Sequence, residues 1–253
     1  MRRTELLQAE AAQWLGVSER SFRRSMHRYE AAWPGMMSQQ GGSRHLWVPG
    51  VYWDLIVTMD DATNEHHSMV FVEEEGTASS FQGIREVIAR WGLFCSLSTD
   101  RGSHYGQTGQ ASGKVDKGAL TQFGRAMQQL GIEMIPAYSP QARGRSERAF
   151  ETHQDRLVKE LALAGISEIE EANRYLRQVY LPAYHAEFKR APREQGSAFV
   201  PDQGGDLGEI VCEHHERVVG NDNCVSFAGL KLQIPGNTHR MYHGQFVRFL
   251  TEP

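Results

Sequence analysis

Two carboxylates in this chain fall where a carboxylate can act on a substrate. Asp100 closes the apolar stretch Leu93-Phe94-Cys95-Ser96-Leu97-Ser98-Thr99, where a short strand must end. In open α/β sheets, ligands bind beyond the C-terminal ends of strands. Taken alone, an Asp ahead of Arg101-Gly102-Ser103-His104 also reads as a turn former. Glu147 lies in Gly144-Arg145-Ser146-Glu147-Arg148-Ala149-Phe150, near the start of a long helix, and belongs to the stripe Phe150, Leu157, Leu161. A carboxylate at the edge of a core-facing stripe wants an arginine or a metal as partner. Its plainer role is to complement the helix dipole from the first turn. Arg143, Arg145 and Arg148 beside it suit phosphate groups.

A second basic group lies near the N-terminus, in Ala11-Ala12-Gln13-Trp14-Leu15-Gly16-Val17-Ser18-Glu19-Arg20-Ser21-Phe22-Arg23-Arg24. Small residues permit a close helix crossing, Gly16 takes the turn and Ser18 can cap the next helix. That helix carries Arg20, Arg23, Arg24 and Arg28 against Glu19 alone. The pattern has the shape of a helix-turn-helix, whose arginines would meet DNA phosphates and guanine edges. A helical hairpin with a solvated basic face fits the same residues. The pairs His66-His67 and His214-His215, with Cys212 and Cys224, do not have the spacing of zinc ligands. Glu73-Glu74-Glu75 reads as a solvated acidic edge at the end of a strand.

Residues from Met36 to about Arg190 alternate strands with helices. Asp54–Met59 and His67–Val72 read as neighbouring strands around the turn formers Asp60–Asn64. Phe81, Ile84, Val87, Ile88 and Trp91 make one helical stripe; Leu120, Phe123, Met127 and Leu130 make another, capped by Gly131. Ile132–Ile135 is a further strand, and Ser167-Glu168-Ile169-Glu170 reads as a capping box opening a helix with Leu176 and Val179 on its face. Such an order predicts an α/β fold around a mixed sheet. Gly196–Gly208 reads as a linker. Beyond it, Glu209–Val219 and Cys224–Phe227 read as a hairpin across Gly220–Asn223, and Leu230–Ile234 as one more strand of a small β module.

The 253 residues carry 27 Lys+Arg against 31 Asp+Glu, a formal charge of −4, which excludes a polycation that coats nucleic acid. A hydrophobic content of 40% is enough for a packed core. No apolar run reaches a membrane span, and no secretory signal is expected from the opening Met-Arg-Arg-Thr-Glu-Leu-Leu-Gln. Three unpatterned cysteines fit a reducing cytoplasm.

The stretches Ser98-Thr99-Asp100-Arg101-Gly102-Ser103-His104-Tyr105 and Ala137-Tyr138-Ser139-Pro140-Gln141-Ala142-Arg143-Gly144-Arg145-Ser146-Glu147-Arg148 resemble the second and third acidic motifs of DDE transposases with a retroviral-integrase-like core. The likeness is to bacterial insertion-sequence transposases of the loosely classified ISNCY kind and runs from about Pro34 to Ile234. It implies three parts: a helix-turn-helix over residues 1–32, an RNase H-like core (a mixed sheet flanked by helices) over 36–192, and a small C-terminal β-barrel-like module over 205–253. It further implies Asp100 and Glu147 as metal ligands of a two-metal Mg²⁺ (or Mn²⁺) site for DNA strand cleavage and strand transfer. Arg20, Arg23, Arg24, Arg143, Arg145 and Arg148 would bind double-stranded DNA at the ends of a mobile element and at its target. The protein would act as a homo-oligomer on DNA in the bacterial cytoplasm, associated with the nucleoid.

At the first strand the family reads approximately Met-x-x-x-Gln-Asp-Gly-Ser-x-His, whereas this chain reads Met36-Met37-Ser38-Gln39-Gln40-Gly41-Gly42-Ser43-Arg44-His45. Gly41 stands in place of the first acidic residue. Only about ten residues separate the helix-turn-helix from the core, and the final module is short for the family. Three readings remain open: an enzyme rescued by Asp54, Asp60 or Asp61, a nuclease with altered ligands, and a non-catalytic DNA-binding remnant that inhibits active copies.

Overall fold

The computed structural model describes residues 31–100, 102–106, 120–137, 140–202, 206–234 and 246–251. Strands β1 (Met37–Val48), β2 (Val51–Asp60) and β3 (His66–Val72) form an antiparallel meander; β4 (Ser96–Thr99) and β5 (Glu133–Pro136) then add in parallel beside β1. The sheet order is β3-β2-β1-β4-β5. Helix α1 (Thr77–Trp91) connects β3 to β4, and α2 (Gln122–Gln129) precedes β5. The long α3 (Pro140–Ala164) follows. Strand β2, between β3 and β1, is buried from Trp53 to Asp60, because helices cover both faces of the sheet.

Side chains alternate across a strand, so the sheet separates two cores. Under α3, Trp47, Trp53, Leu55, Val57, Met59 and Phe71 meet Phe150, Leu157 and Leu161. Under α1 and α2, Leu97 meets Phe81, Ile84, Val87, Phe123 and Met127. Of the expected stripes, Phe81, Ile84, Val87, Ile88, Phe123, Met127, Phe150, Leu157 and Leu161 are buried, and Trp91 and Leu130 half-buried; Leu120 is exposed, because α2 begins only at Gln122. Helix α3 stops in a Schellman turn: Gly165 takes φ 68°, and Ile166 N–H bonds Leu161 O at 3.0 Å.

Helix α4 (Ile169–Tyr175), a π turn (Leu176–Tyr180) and α5 (Leu181–Phe188) then run back over the α3 side. The expected capping box does not form. The N-cap is Glu168, with no side-chain cap hydrogen bond, because the reversal through Gly165 delays the helix to Ile169. Val179 also differs from expectation and is exposed, since the π turn rotates the stripe. The Asn173 amide donates to Phe71 O at 2.9 Å and accepts Phe71 N–H at 2.7 Å, occupying backbone groups of edge strand β3.

The described residues of the expected linker are tied to the core by hydrogen bonds. Leu93 and Val200 exchange backbone hydrogen bonds of 2.8 and 2.9 Å, and Ala198 N–H reaches Pro34 O. After the short α6 (Leu207–Ile210), Val211 and Cys212 are fully buried. Arg85 donates to Val211 O and Gly208 O, Arg125 to Ile210 O and Cys212 O, and Gln122 makes a two-way amide bond with His214. These side-chain bonds replace the freedom that glycine content suggested.

Strand pairing in the last segment also departs from the expected hairpin. β6 (Glu213–Val218) pairs with β9 (Phe246–Thr251), while β7 (Cys224–Phe227) pairs with β8 (Leu230–Gln233). Ala228 and Gly229 both have positive φ, 50° and 77°, which makes a two-residue connection that suits the twist of a hairpin. That tight turn captures β7 for β8 and leaves β6 for β9.

Candidate active site

Parallel pairing of β1 with β4 sets Gln40 opposite Thr99, so Asp100, the next residue, stands level with Gly41. Asp100 is half-buried, and its Oδ1 accepts the Gly102 N–H at 2.8 Å, so the turn role and the position at a strand end coexist. The following loop is tied to the sheet through buried Tyr105. Its hydroxyl donates to Gln40 Oε1 at 3.3 Å and accepts from Ser80 Oγ at 3.1 Å. Burial, with the charges of Glu75 and Asp100 nearby, pushes the Tyr105 phenol well above its usual range.

Glu147 lies on α3, whose Ser146, Phe150 and His153 share a small cavity with Gln39. Further along, Gln154 Nε2 donates to Ser43 Oγ at 2.8 Å. Gln39 and Ser43 bracket position 41 on the same face of β1, so buried Gly41 lies beneath the helix segment that begins near Glu147. Glu147 itself is exposed beside the buried stripe, which removes the need for a buried partner expected from its spacing.

The arginines separate in role. Arg145 pairs with Asp61 Oδ2 at 3.2 Å and also bonds the Asp61 carbonyl, anchoring the start of α3 to the β2–β3 turn. Arg148 is exposed, with Nε donating to Gly144 O at 2.7 Å. Arg143 lies within α3. Arg20, Arg23 and Arg24, with the whole expected helix-turn-helix, lie outside the described residues.

Two arrangements were not foreseen. Glu75 does not belong to a solvated edge: its carboxylate lies against Gly42, where an added Cβ would clash with Oε2, and Oε1 is 3.6 Å from His104 Nε2. Behind the α3 face, His66 Nδ1 is 3.1 Å from Asn64 O, which can only accept, so that nitrogen carries the proton. His66 Nε2 then accepts from His153 Nε2–H at 2.8 Å, and His153 Nδ1 accepts from the Tyr180 hydroxyl at 2.8 Å. Burial pushes the His66 pKa down to about 3 and that of His153 well below its usual value, so both stay neutral. The adjacent His66-His67 pair was the only local hint; His153 and Tyr180 come from distant helices.

The donor set falls short of a shared two-metal site. Asp100 and Glu147 offer carboxylates, but position 41 offers no side chain, and no group of three His, Cys, Asp or Glu among the described residues is arranged to hold a metal ion.

A five-stranded mixed sheet in this order, with Asp100 at a strand end and Glu147 on the covering helix, defines an RNase H-like core of the integrase kind. A chain of the cryoEM structure of the simian T-cell lymphotropic virus intasome, in complex with PP2A regulatory subunit B56 gamma, superposes with TM-score 0.51 at 14% identity over 87% of this chain and 80% of that one. No family model matches the sequence. The transposase-named protein y4bF of Sinorhizobium fredii is 31% identical over 237 residues, 90% of this chain and 50% of that protein. The transposase for insertion sequence IS1202 of Streptococcus pneumoniae is 28% identical over 193 residues, 76% of this chain and 41% of that protein. The chain is similar in sequence to transposases and has the fold of a retroviral integrase core. It spans about half the length of the curated relatives it matches. Among the described residues no helix is long and apolar enough to cross a membrane.

Proposed function

We propose that this chain binds double-stranded DNA at the ends of a mobile element, in the setting of DNA strand cleavage and strand transfer. The register that sets Asp100 beside position 41, with Glu147 on the helix that crosses that strand, supports this reading. The names of the two relatives support the same chemistry. Exposed Arg148, with Arg143 five residues earlier on α3, would hold phosphates, and Arg20, Arg23 and Arg24 would anchor the element end. Arg145 serves chiefly to position α3 through Asp61. A homo-oligomer on DNA belongs to this reading.

The test is affinity for duplexes carrying the flanking element ends, against unrelated duplexes, over a salt series. Specific binding that weakens steeply with salt is expected, and each lost phosphate contact lowers the log–log salt slope by about 0.9. Arg148→Ala is expected to weaken element-end and unrelated duplexes alike. Replacing Arg20, Arg23 and Arg24 together should remove the preference for ends. Absence of any affinity at low salt overturns the proposal.

A further inference from the structure

We propose that this chain does not assemble a two-metal site, because the missing carboxylate belongs to one face of one strand position and no described carboxylate replaces it there. The inference rests on the transposase reading above. Gly41 faces α3, as Gln39 and Ser43 do. Directly paired residues share a face, and Asp54 and Asp60 pair with Arg44 and Ser38, which face the other way. Each also lies three positions from Gly41, about 10 Å along the strand.

Each is also committed elsewhere. Asp60 Oδ1 accepts the Gly35 N–H at 2.8 Å, and Oδ2 accepts both donors of Thr63 at 2.8–2.9 Å. Asp54 Oδ2 accepts the Glu75 N–H at 2.7 Å and lies 3.5 Å from Arg44. Asp61 does lie on the α3 side, but its N–H bonds Met37 O, at the end of β1 that pairs with the start of β4, away from Asp100. Its Oδ1 accepts from Gln39 at 2.6 Å and its Oδ2 pairs with Arg145. Glu75 is the carboxylate packed closest on this part of β1, yet it covers Gly42 on the opposite face. The sheet itself stands between Glu75 and the place a residue 41 side chain would occupy.

Adjacent glycines on opposite faces make the test internal to the strand. Mn²⁺ binding to the full chain would be measured by calorimetry and by the metal-induced shift in Tm for the parent, Gly41→Asp and Gly42→Asp. Gly41→Asp is expected to tighten Mn²⁺ binding about tenfold or more, since affinity follows the count of charged oxygen ligands. Its Tm should fall without metal, as a new carboxylate is buried near Asp100, and recover with Mn²⁺. Adding Asp100→Asn or Glu147→Gln should abolish that gain. Gly42→Asp should bring no gain, because its side chain enters the place held by Glu75.

The proposal is overturned if the parent chain already binds two Mn²⁺ and loses them on Asp100→Asn. Loss of such binding on Glu75→Gln or Asp61→Asn would likewise overturn it and identify the substitute ligand. If Gly41→Asp does not fold, the stoichiometry of the parent and its Asp100→Asn variant still decides the matter: fewer than two Mn²⁺ on the parent supports the proposal, and two that are lost on Asp100→Asn overturn it. None of these readouts uses DNA, so failure of the DNA-binding proposal is distinguishable from failure of this one.

Discussion

Gly41 and Gly42 are consecutive on β1 and answer to opposite sides of the sheet. On the α1 side, the absence of a side chain at 42 is a packing requirement: Glu75 fills the space and His104 packs beside the carboxylate. On the α3 side, position 41 lies beneath the helix that carries Glu147. The histidines of β3 divide in the same way. His66 joins the His153–Tyr180 chain under α3, while His67 packs against Trp91, tilted by 31° with ring centroids 4.2 Å apart, on the other side. Neighbours in sequence thus belong to different environments, and a residue's type is explained only by the face it serves.

Acid should break the comparison most strongly. Burial holds His66 at about 3, His67 at about 4 and His153 well below its ordinary value, whereas an unfolded chain keeps all three near about 6.5. The unfolded state therefore binds more protons through this window. Stability is full above about 6.5 and declines as pH falls toward 4, by several kcal/mol in total at about 1.4 per unit for each group. Urea unfolding between pH 7 and 4.5 measures it. Replacing His66 and His153 together by glutamine should remove about two protons from the pH slope, and replacing His67 about one. A flat profile would show that the buried rings already accept protons in the folded chain.

Next in size are cavities cut into the two cores. Leu157 under α3 and Ile84 under α1 are both fully buried, and either change to alanine should cost about 2–5 kcal/mol. Denaturant unfolding followed by fluorescence and circular dichroism should give coincident transitions in both variants, since the sheet is shared. Separate transitions in one variant would mean that the faces unfold independently.

The smallest effect sharpens the glycine contrast. Gly42→Ala should cost about 1 kcal/mol, because the opposing atoms are the movable end of Glu75. Glu75→Ala in the same chain should remove most of that cost, and a double-mutant cycle in urea measures the coupling. No coupling would place Glu75 away from β1 in solution.

Much of the core was legible because its signals are local. Alternation and apolar runs marked β2, β3 and β4, helical spacing marked α1, α2 and the buried face of α3, and Asp60–Asn64 marked the turn between strands. The motif carboxylates and the unusual glycine at 41 were likewise readable in order along the chain. What local signals could not supply was partner choice. β6 has the composition of a hairpin strand, but the Ala228-Gly229 turn pairs β7 with β8, and β6 finds β9 about thirty residues later.

The same reason accounts for Glu75, which reads as surface in a run of three acids until the fold turns it onto Gly42. It also accounts for Arg145, a phosphate ligand by its neighbours in sequence and an anchor for Asp61 by its neighbours in space. The sequence by itself determined the elements and which residues of each are apolar, because backbone periodicity needs no distant partner. Tertiary structure alone decided which carboxylates share a face, since facing depends on strand register and on the helix laid across it.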